Sequence, residues 1–385
     1  MKDSTKVYLY TGGWIFYYLQ GIFHLEGSLI TSLLIVGLIV VSFLYVVLCH
    51  FSVSGMRGRR ISMFILSLDA FILLLTIYGI IYLFNDSLYS EGTRYNYLKN
   101  IYGTLFPIYF FYYYAIKGIL ETVVMKKNTI AFFIFVVINY ILLFLRENAT
   151  MMTNNGGYLC VAVVPLTLLF EDKKVLQNIM VLILSVLTVV SMKRGAMLVM
   201  LILLILFIFI RYKREENKIR TTLFVLFLIS VIAVSFIYLW NANEYFYARL
   251  YKTLNGYTSG RDELYSTLIQ AFFEDSSDMQ FVFGRGAWSS LVVTKKNYAH
   301  SDWLELATNQ GVMGVLFYFV YICSIVKTFF CKKVWCNQTY ILFMVSVVVV
   351  MKSFFSMSYS SMDVILFATL GYAMGIQRRE CVINR

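Results

Sequence analysis

Three arginines and one histidine carry the chemistry this sequence most readily offers. Arg194 stands in Ser191-Met192-Lys193-Arg194-Gly195, a cationic step between two strongly apolar runs. Arg261 follows Ser259-Gly260, and Arg285 lies in Phe283-Gly284-Arg285-Gly286-Ala287-Trp288. A guanidinium binds phosphate oxygens bidentately and keeps its charge, so three of them converging at a membrane boundary would hold a pyrophosphate. His300 is one of only three histidines and is followed by Ser301 and Asp302. An imidazole titrates near working pH and suits proton abstraction from a hydroxyl, with Asp302 orienting it or serving as the base itself. Trp288, Trp303 and Tyr265 offer faces to sugar rings, although aromatics are so common in this chain that plain packing is the favoured reading.

Each of these residues has a bland alternative. A lone histidine is more often structural than catalytic. The glycines around Arg285 serve a tight turn equally well. Lys193 and Arg194 could be snorkelling to headgroups, but cations with almost no loop to carry them are expensive at a bilayer and usually functional. Arg261 opens an amphipathic stretch containing Leu264, Leu268, Ile269, Phe272 and Phe273, and Ser259 with Asp262 resembles a capping box. A cation in a first turn opposes the helix dipole, which points to a ligand anion.

The elements that must position these residues follow from composition. Of 385 residues, 60% are hydrophobic and 14% charged, against about 25% charged in soluble domains. A soluble fold could not hide so much apolar surface, whereas a bilayer does. The net charge of +12 belongs to loops retained in the cytoplasm. No soluble basic domain exists to bind nucleic acid. The predicted fold class is therefore an all-α polytopic membrane protein of about 12 transmembrane helices, each near 20 apolar residues.

The expected spans are 7–23, 28–50, 61–84, 100–120, 129–145, 158–170, 175–192, 195–210, 221–240, 304–330, 339–355 and 362–377. The first is interrupted by Gly12-Gly13 and has no cleavage site, so it reads as an anchor that stays. Pro107 and Pro165 fall inside spans and should kink them. With the N-terminus inside, every second loop is basic, which predicts both termini cytoplasmic. Residues 241–303 form one large outer loop containing short helices, between helices 1–9 (residues 1–240) and helices 10–12 with a short tail (304–385). Six basic and seven acidic residues nearly cancel there, and a loop of this length is usually functional. Asp69, inside the third span, is a second costly charge expected to pair with a cation. The six cysteines avoid the outer loop and lack zinc-knuckle spacing, so neither disulfides nor a metal are expected.

Taken together these motifs resemble the superfamily of O-antigen ligases and O-antigen polymerases, in topology over most of the chain and most sharply over 191–314. Ser191 to Gly195 resembles the family's small-residue–Arg-Gly pattern, departing from it by Met192-Lys193. Ser259-Gly260-Arg261 and Gly284-Arg285-Gly286 are similar to its outer-loop motifs. His300-Ser301 with Gly311 and Gly314 is similar to its His-Asn or His-Ser motif. The resemblance implies a GT-C-like fold and metal-independent transfer of a glycan from undecaprenyl pyrophosphate to an acceptor hydroxyl, with no cofactor. His300 or Asp302 would be the base, and Arg194, Arg261 and Arg285 would neutralise the leaving pyrophosphate. It implies a bacterial inner-membrane protein with a periplasmic active face, membrane lipids and lipid-linked glycans as partners, and a chain-length regulator and a flippase alongside. Polymerisation of repeat units into O-antigen or capsule is the first expectation, ligation of polymer onto lipid A core the second, and a non-enzymatic flippase or exporter the third.

Overall fold

In a computed structural model of the chain, the residues described are 2–21, 23, 25, 27–54, 61–84, 91–146, 156–256, 260–295, 297–330 and 335–383. Among them the structure is helical without strands. Among the described residues nine α-helices precede the outer loop: α1 (Asp3–Tyr18), α2 (Leu29–Ser54), α3 (Met63–Leu83), α4 (Glu91–Ile116), α5 (Thr122–Arg146), α6 (Gly156–Val163), α7 (Lys174–Val190), α8 (Arg194–Arg214) and α9 (Lys218–Ala242). The loop carries α10 (Glu244–Leu254), α11 (Arg261–Phe273), α12 (Asp278–Phe283) and α13 (Ser289–Val293). Then come α14 (Asp302–Phe330), α15 (Asn337–Phe355) and α16 (Val364–Ile383).

Every expected span overlaps helical backbone, and the expected short helices occupy the outer loop. Among the described residues, seven helices are long and apolar enough to cross a membrane: those over Leu29–Phe51, Met63–Leu83, Thr122–Leu142, Arg194–Arg214, Lys218–Ala242, Asp302–Phe330 and Asn337–Phe355. Two shorter apolar segments, Gly156–Phe170 and Lys174–Val190, accompany them. Large apolar side chains point outward along these helices, among them Leu33, Val36 and Val40 of α2 and Ile205 and Phe209 of α8. That is the surface a hydrocarbon solvent requires. The chain is thus an all-α polytopic membrane protein.

Local chemistry shapes the helices in ways the apolar pattern only partly announces. Gly12-Gly13 do not interrupt α1, which runs through them. Pro107 sits inside an unbroken α4. Pro165 falls where α6 tightens into a 3-10 segment over Val164–Phe170, because proline supplies no N–H to continue the α ladder. The broadest helix contact joins α4 to α16. A β-carbon on Gly371 would meet the Ile108 carbonyl oxygen at 2.4 Å, and one on Gly375 the Tyr112 oxygen at 2.7 Å. Small residues one turn apart let two backbones approach where no hydrophobic force drives helices together. Asp69 pairs with a histidine rather than a lysine or arginine: its carboxylate lies 2.9 Å from His50 Nε2 and accepts from the Tyr109 hydroxyl. Helix α9 is nearly all periphery, with only Thr221 and Leu228 buried along it.

Helix α14 was expected as one span and is instead broken near its start. Gly311 has φ 66° and ψ −159°, outside helical space. The break leaves the carbonyls of Thr308 and Asn309 without their usual acceptor role within the helix. The outer loop fills it: Arg285 N–H donates to Thr308 O (3.0 Å) and Gly286 N–H to Asn309 O (2.9 Å). The approach is backbone against backbone. A β-carbon on Gly284 would lie 2.3 Å from Asn309 O, and one on Gly311 2.5 Å from Gly284 N. The two glycine motifs are therefore one joint that fastens the loop to α14.

Candidate functional site

The sequence around His300 is held by two buried carboxylates in the first turn of α14. Glu305 is fully buried, accepts from Ala299 N–H (3.0 Å) and Asn309 Nδ2 (3.2 Å), and also accepts from the Ser290 hydroxyl of α13. Asp302 is fully buried too, accepting from Tyr318 (2.6 Å) and from the backbone N–H of Ser358 (2.7 Å). Both are low in the apolar interior, where only satisfied carboxylates are tolerable. Just before them the chain turns sharply, and His300 adopts a left-handed φ of 52°. A non-glycine residue rarely sits there unless its surroundings dictate it.

This turn projects His300 into a cavity of about 390 Å³, within the range of small-molecule sites. Around it stand Lys193, Tyr158, Trp288, Lys352, Ser360 and Asp363. Lys193 caps α8, and Arg194 is the first residue of that helix. Tight packing puts them there: the Ser191 hydroxyl accepts from Lys193 N–H (3.2 Å), and β-carbons on Gly157 and Gly195 would strike Ser191 Oγ at 2.4 Å and Tyr158 OH at 2.3 Å. Only glycine lets α6 and α8 close this way. Arg194 donates to Thr253 of α10, and its charge lies among those of Arg249 and Arg261. Arg261 opens α11 after Gly260 in the left-handed region (φ 73°).

Electrostatics follows from this crowding of cations. Burial, then the like charges of Arg261, Arg249 and Lys352, pushes the Lys193 ammonium down to about 8. Burial, reinforced by Lys193 and Arg261, pushes His300 down to about 4. The imidazole is consequently neutral at any ordinary pH, with a ring nitrogen able to accept a proton.

The expected site residues divide. His300, Arg194 and Arg261 come together, joined by Lys193. Arg285 does not: its Nη2 donates to the carbonyls of Ala271 and Asp275, both at 2.8 Å. It lines a separate cavity with Tyr78 and Tyr82. It is a clamp on the end of α11, and the expected convergence of three arginines becomes two arginines and a lysine. Asp302 directs its two oxygens to Tyr318 and Ser358, which fits a positioning role. Trp288 lines the cavity but is 3% exposed and meets Tyr82, Tyr97 and Tyr298 edge to face. Trp303 is taken up by packing, donating to Ser353 (3.1 Å) and stacking on Phe354. Tyr265 is half-buried on α11, close to Tyr158. The capping box expected at Ser259 lies outside the described residues; one does form at Ser277 and Gln280.

Lys352 and Asp363 escaped the sequence reading. Lys352 is 2% exposed, bonded to Asp363 (2.7 Å) and Ser361 (2.9 Å), with its ammonium 5.3 Å from the Tyr158 ring centroid. The signal was present, a lysine at the end of Val348-Val349-Val350-Met351. An ionisable residue within an apolar span is by default functional.

Residues 179–319 match a family model described as O-antigen ligase. The match takes in Lys193, Arg194, Arg261, Arg285 and His300 and stops short of Lys352 and Asp363. It supports the superfamily of O-antigen ligases and polymerases, enzymes of glycosyl transfer that act on lipid-linked glycans. No curated protein and no solved structure matches the chain.

Proposed function

We propose that this chain polymerises undecaprenyl-pyrophosphate-linked oligosaccharide repeat units into a bacterial surface polysaccharide, O-antigen or capsule, on the outer face of the cytoplasmic membrane. The observation that carries the reading is His300 and Lys193 lining one cavity at a helix boundary, with the charge of Arg261 acting on both and Arg194 beside Arg261. A lipid-linked pyrophosphate has its head at that depth and its tail in the bilayer. His300 takes the proton of the acceptor hydroxyl as that oxygen bonds to the anomeric carbon. The bond from that carbon to the pyrophosphate oxygen breaks, and the leaving group departs with the electron pair. Direct displacement inverts the anomeric centre. Lys193, Arg194 and Arg261 neutralise the charge growing on the pyrophosphate, commonly the largest single contribution in such chemistry. Three fixed cations can supply the neutralisation for which other enzymes use a divalent metal. Asp302 and Glu305 position His300 without touching substrate. The alternating basic loops support cytoplasmic termini and a periplasmic site. Repeat-unit flippase and chain-length regulator are the natural neighbours of such an enzyme.

Ligation is the second reading, favoured by the description of the matching family model: the same step with lipid A core as acceptor. The exporter reading draws no support from that match. Deleting the gene in its host, complementing with wild type or His300→Ala, and resolving surface polysaccharide on a gel tests the set. Polymerase is supported by single repeat units on core in the deletion and a ladder on complementation. Polymer stranded on its carrier makes the chain a ligase, and repeat units accumulating on the cytoplasmic leaflet refute both. A full ladder with His300→Ala overturns the base assignment alone.

A further inference from the structure

We infer that the part of the His300 cavity lined by Lys352, Asp363, Ser360 and Ser361 is a sugar subsite that seats the ring bonded to the donor's pyrophosphate. This rests on the glycosyl-transfer reading above. Two groups of the cavity's lining residues differ in chemistry. Lys193 and His300 are half-buried, with the charge of Arg261 acting on both. Lys352, Asp363 and Ser360 are 2%, 4% and 7% exposed. The first group is cationic. In the second, Lys352 and Asp363 pair at 2.7 Å and offset each other's charge.

What the second group offers is alternation of donors and acceptors. An ammonium has three donors and each carboxylate oxygen more than one lone pair. After its bonds to Asp363 and Ser361, Lys352 keeps a proton, and Asp363 keeps lone pairs beyond those used by Lys352 and by Leu366 N–H (3.3 Å). Neighbouring hydroxyls on a sugar ring, each both donor and acceptor, fit such a surface. Ser360 provides an independent sign of a ligand: it lines the cavity, and its buried hydroxyl has no partner. A native fold rarely leaves a buried hydroxyl unmatched unless something else completes it. The amides of Asn100 and Asn139 line the same space.

The subsite is also rigidly registered to the base. Tyr18 donates to Met362 O and accepts from Val364 N–H (3.0 Å), which pins the segment from both sides. Asp302, two residues after His300, accepts from Ser358 N–H at 2.7 Å. A ring held at Ser360 thus stands at a fixed distance from the imidazole, with its pyrophosphate toward Lys193 and Arg261.

The test is initial-rate kinetics on purified protein in nanodiscs. Polymer on undecaprenyl pyrophosphate serves as donor, with single lipid-linked units or lipid A core as acceptor, alongside thermal unfolding. Ser360→Ala is expected to raise the unfolding temperature, because the orphaned hydroxyl is gone, while raising donor KM about tenfold, one hydrogen bond's worth, with kcat little changed. Asp363→Asn is expected to raise donor KM as well. A structural role would move stability without moving KM. An unchanged donor KM in both variants of an active enzyme overturns the subsite and leaves glycosyl transfer standing, as does a shift confined to acceptor KM. A wild-type protein inactive with either acceptor overturns the functional reading, and the subsite falls with it.

Discussion

Replacing Gly311 by alanine sets a methyl group against backbone that cannot step aside. The residue has φ 66° and ψ −159°, a region costing a non-glycine residue about 1–3 kcal/mol. The new β-carbon would lie 2.5 Å from both Gly284 N and Val282 O, so the loop has to lift away from α14. Lifting it strands Thr308 and Asn309 carbonyls that now accept from Arg285 and Gly286, at about 1–3 kcal/mol each. The total, about 3–9 kcal/mol, is comparable with the whole stability of many domains. Gly256→Ala is the control: φ there is 83° but no atom lies within 4 Å of the added carbon, leaving only a left-handed cost of about 1–2 kcal/mol. Thermal unfolding in detergent, followed by tryptophan fluorescence and by proteolysis of the outer loop, reads both. If Gly311→Ala unfolds within a degree or two of Gly256→Ala with its loop equally protected, the joint between loop and α14 is misconceived.

Arg261→Gln should lower kcat by about 100-fold or more, the usual cost of losing one charge-stabilising donor, with little change in unfolding temperature; rates and melting curves check it together. Arg285→Gln should do the reverse, lowering stability through the lost bonds to Ala271 and Asp275 while kcat falls far less, and the same two assays separate the pair. His300 has a folded pKa of about 4 against an ordinary 6.5, so between those values the unfolded chain binds the proton that the folded chain refuses. Stability is then flat above pH 6.5 and declines as pH falls toward 4, by about 1–2 kcal/mol after discounting for the solvent-exposed part of the ring. Denaturation midpoints across that range should lose this slope in His300→Gln. Glu305→Ala, which strands Ala299 N–H and the Ser290 hydroxyl, should destabilise by about 2–5 kcal/mol and abolish transfer, as unfolding and activity measurements will show.

The helices were legible because hydropathy depends on residue type alone. Direction was not. Arg261 and Arg285 look alike in sequence, each beside a glycine in the same polar loop, yet one joins the cation cluster and the other grips the end of α11. Asp302 reads as an acid beside a histidine, but helical geometry turns it inward toward Tyr318, away from the cavity that its neighbour faces. Gly311 lies within 304–330, which reads as one continuous span; the break depends on Gly284 arriving from another element. Lys352 and Asp363 are eleven positions apart, on either side of a turn, and their pairing needs the fold. Lys193 was visible as an intrusion into a family pattern, whereas its place beside His300 depends on the contact between α6 and α8 at two glycines.

The surroundings that keep His300 unprotonated have a consequence for timing. Burial opposes its protonation most, and Lys193 and Arg261 add repulsion, so in the empty cavity the imidazole is a feeble base. An anion seated on those two cations would cancel the repulsive part and leave the larger cost of burial, so the proton affinity of the ring would rise without regaining its ordinary value. On the proposed mechanism the donor's own pyrophosphate would then strengthen the base that the reaction requires, and occupancy and reactivity would rise together without any part of the protein having to move.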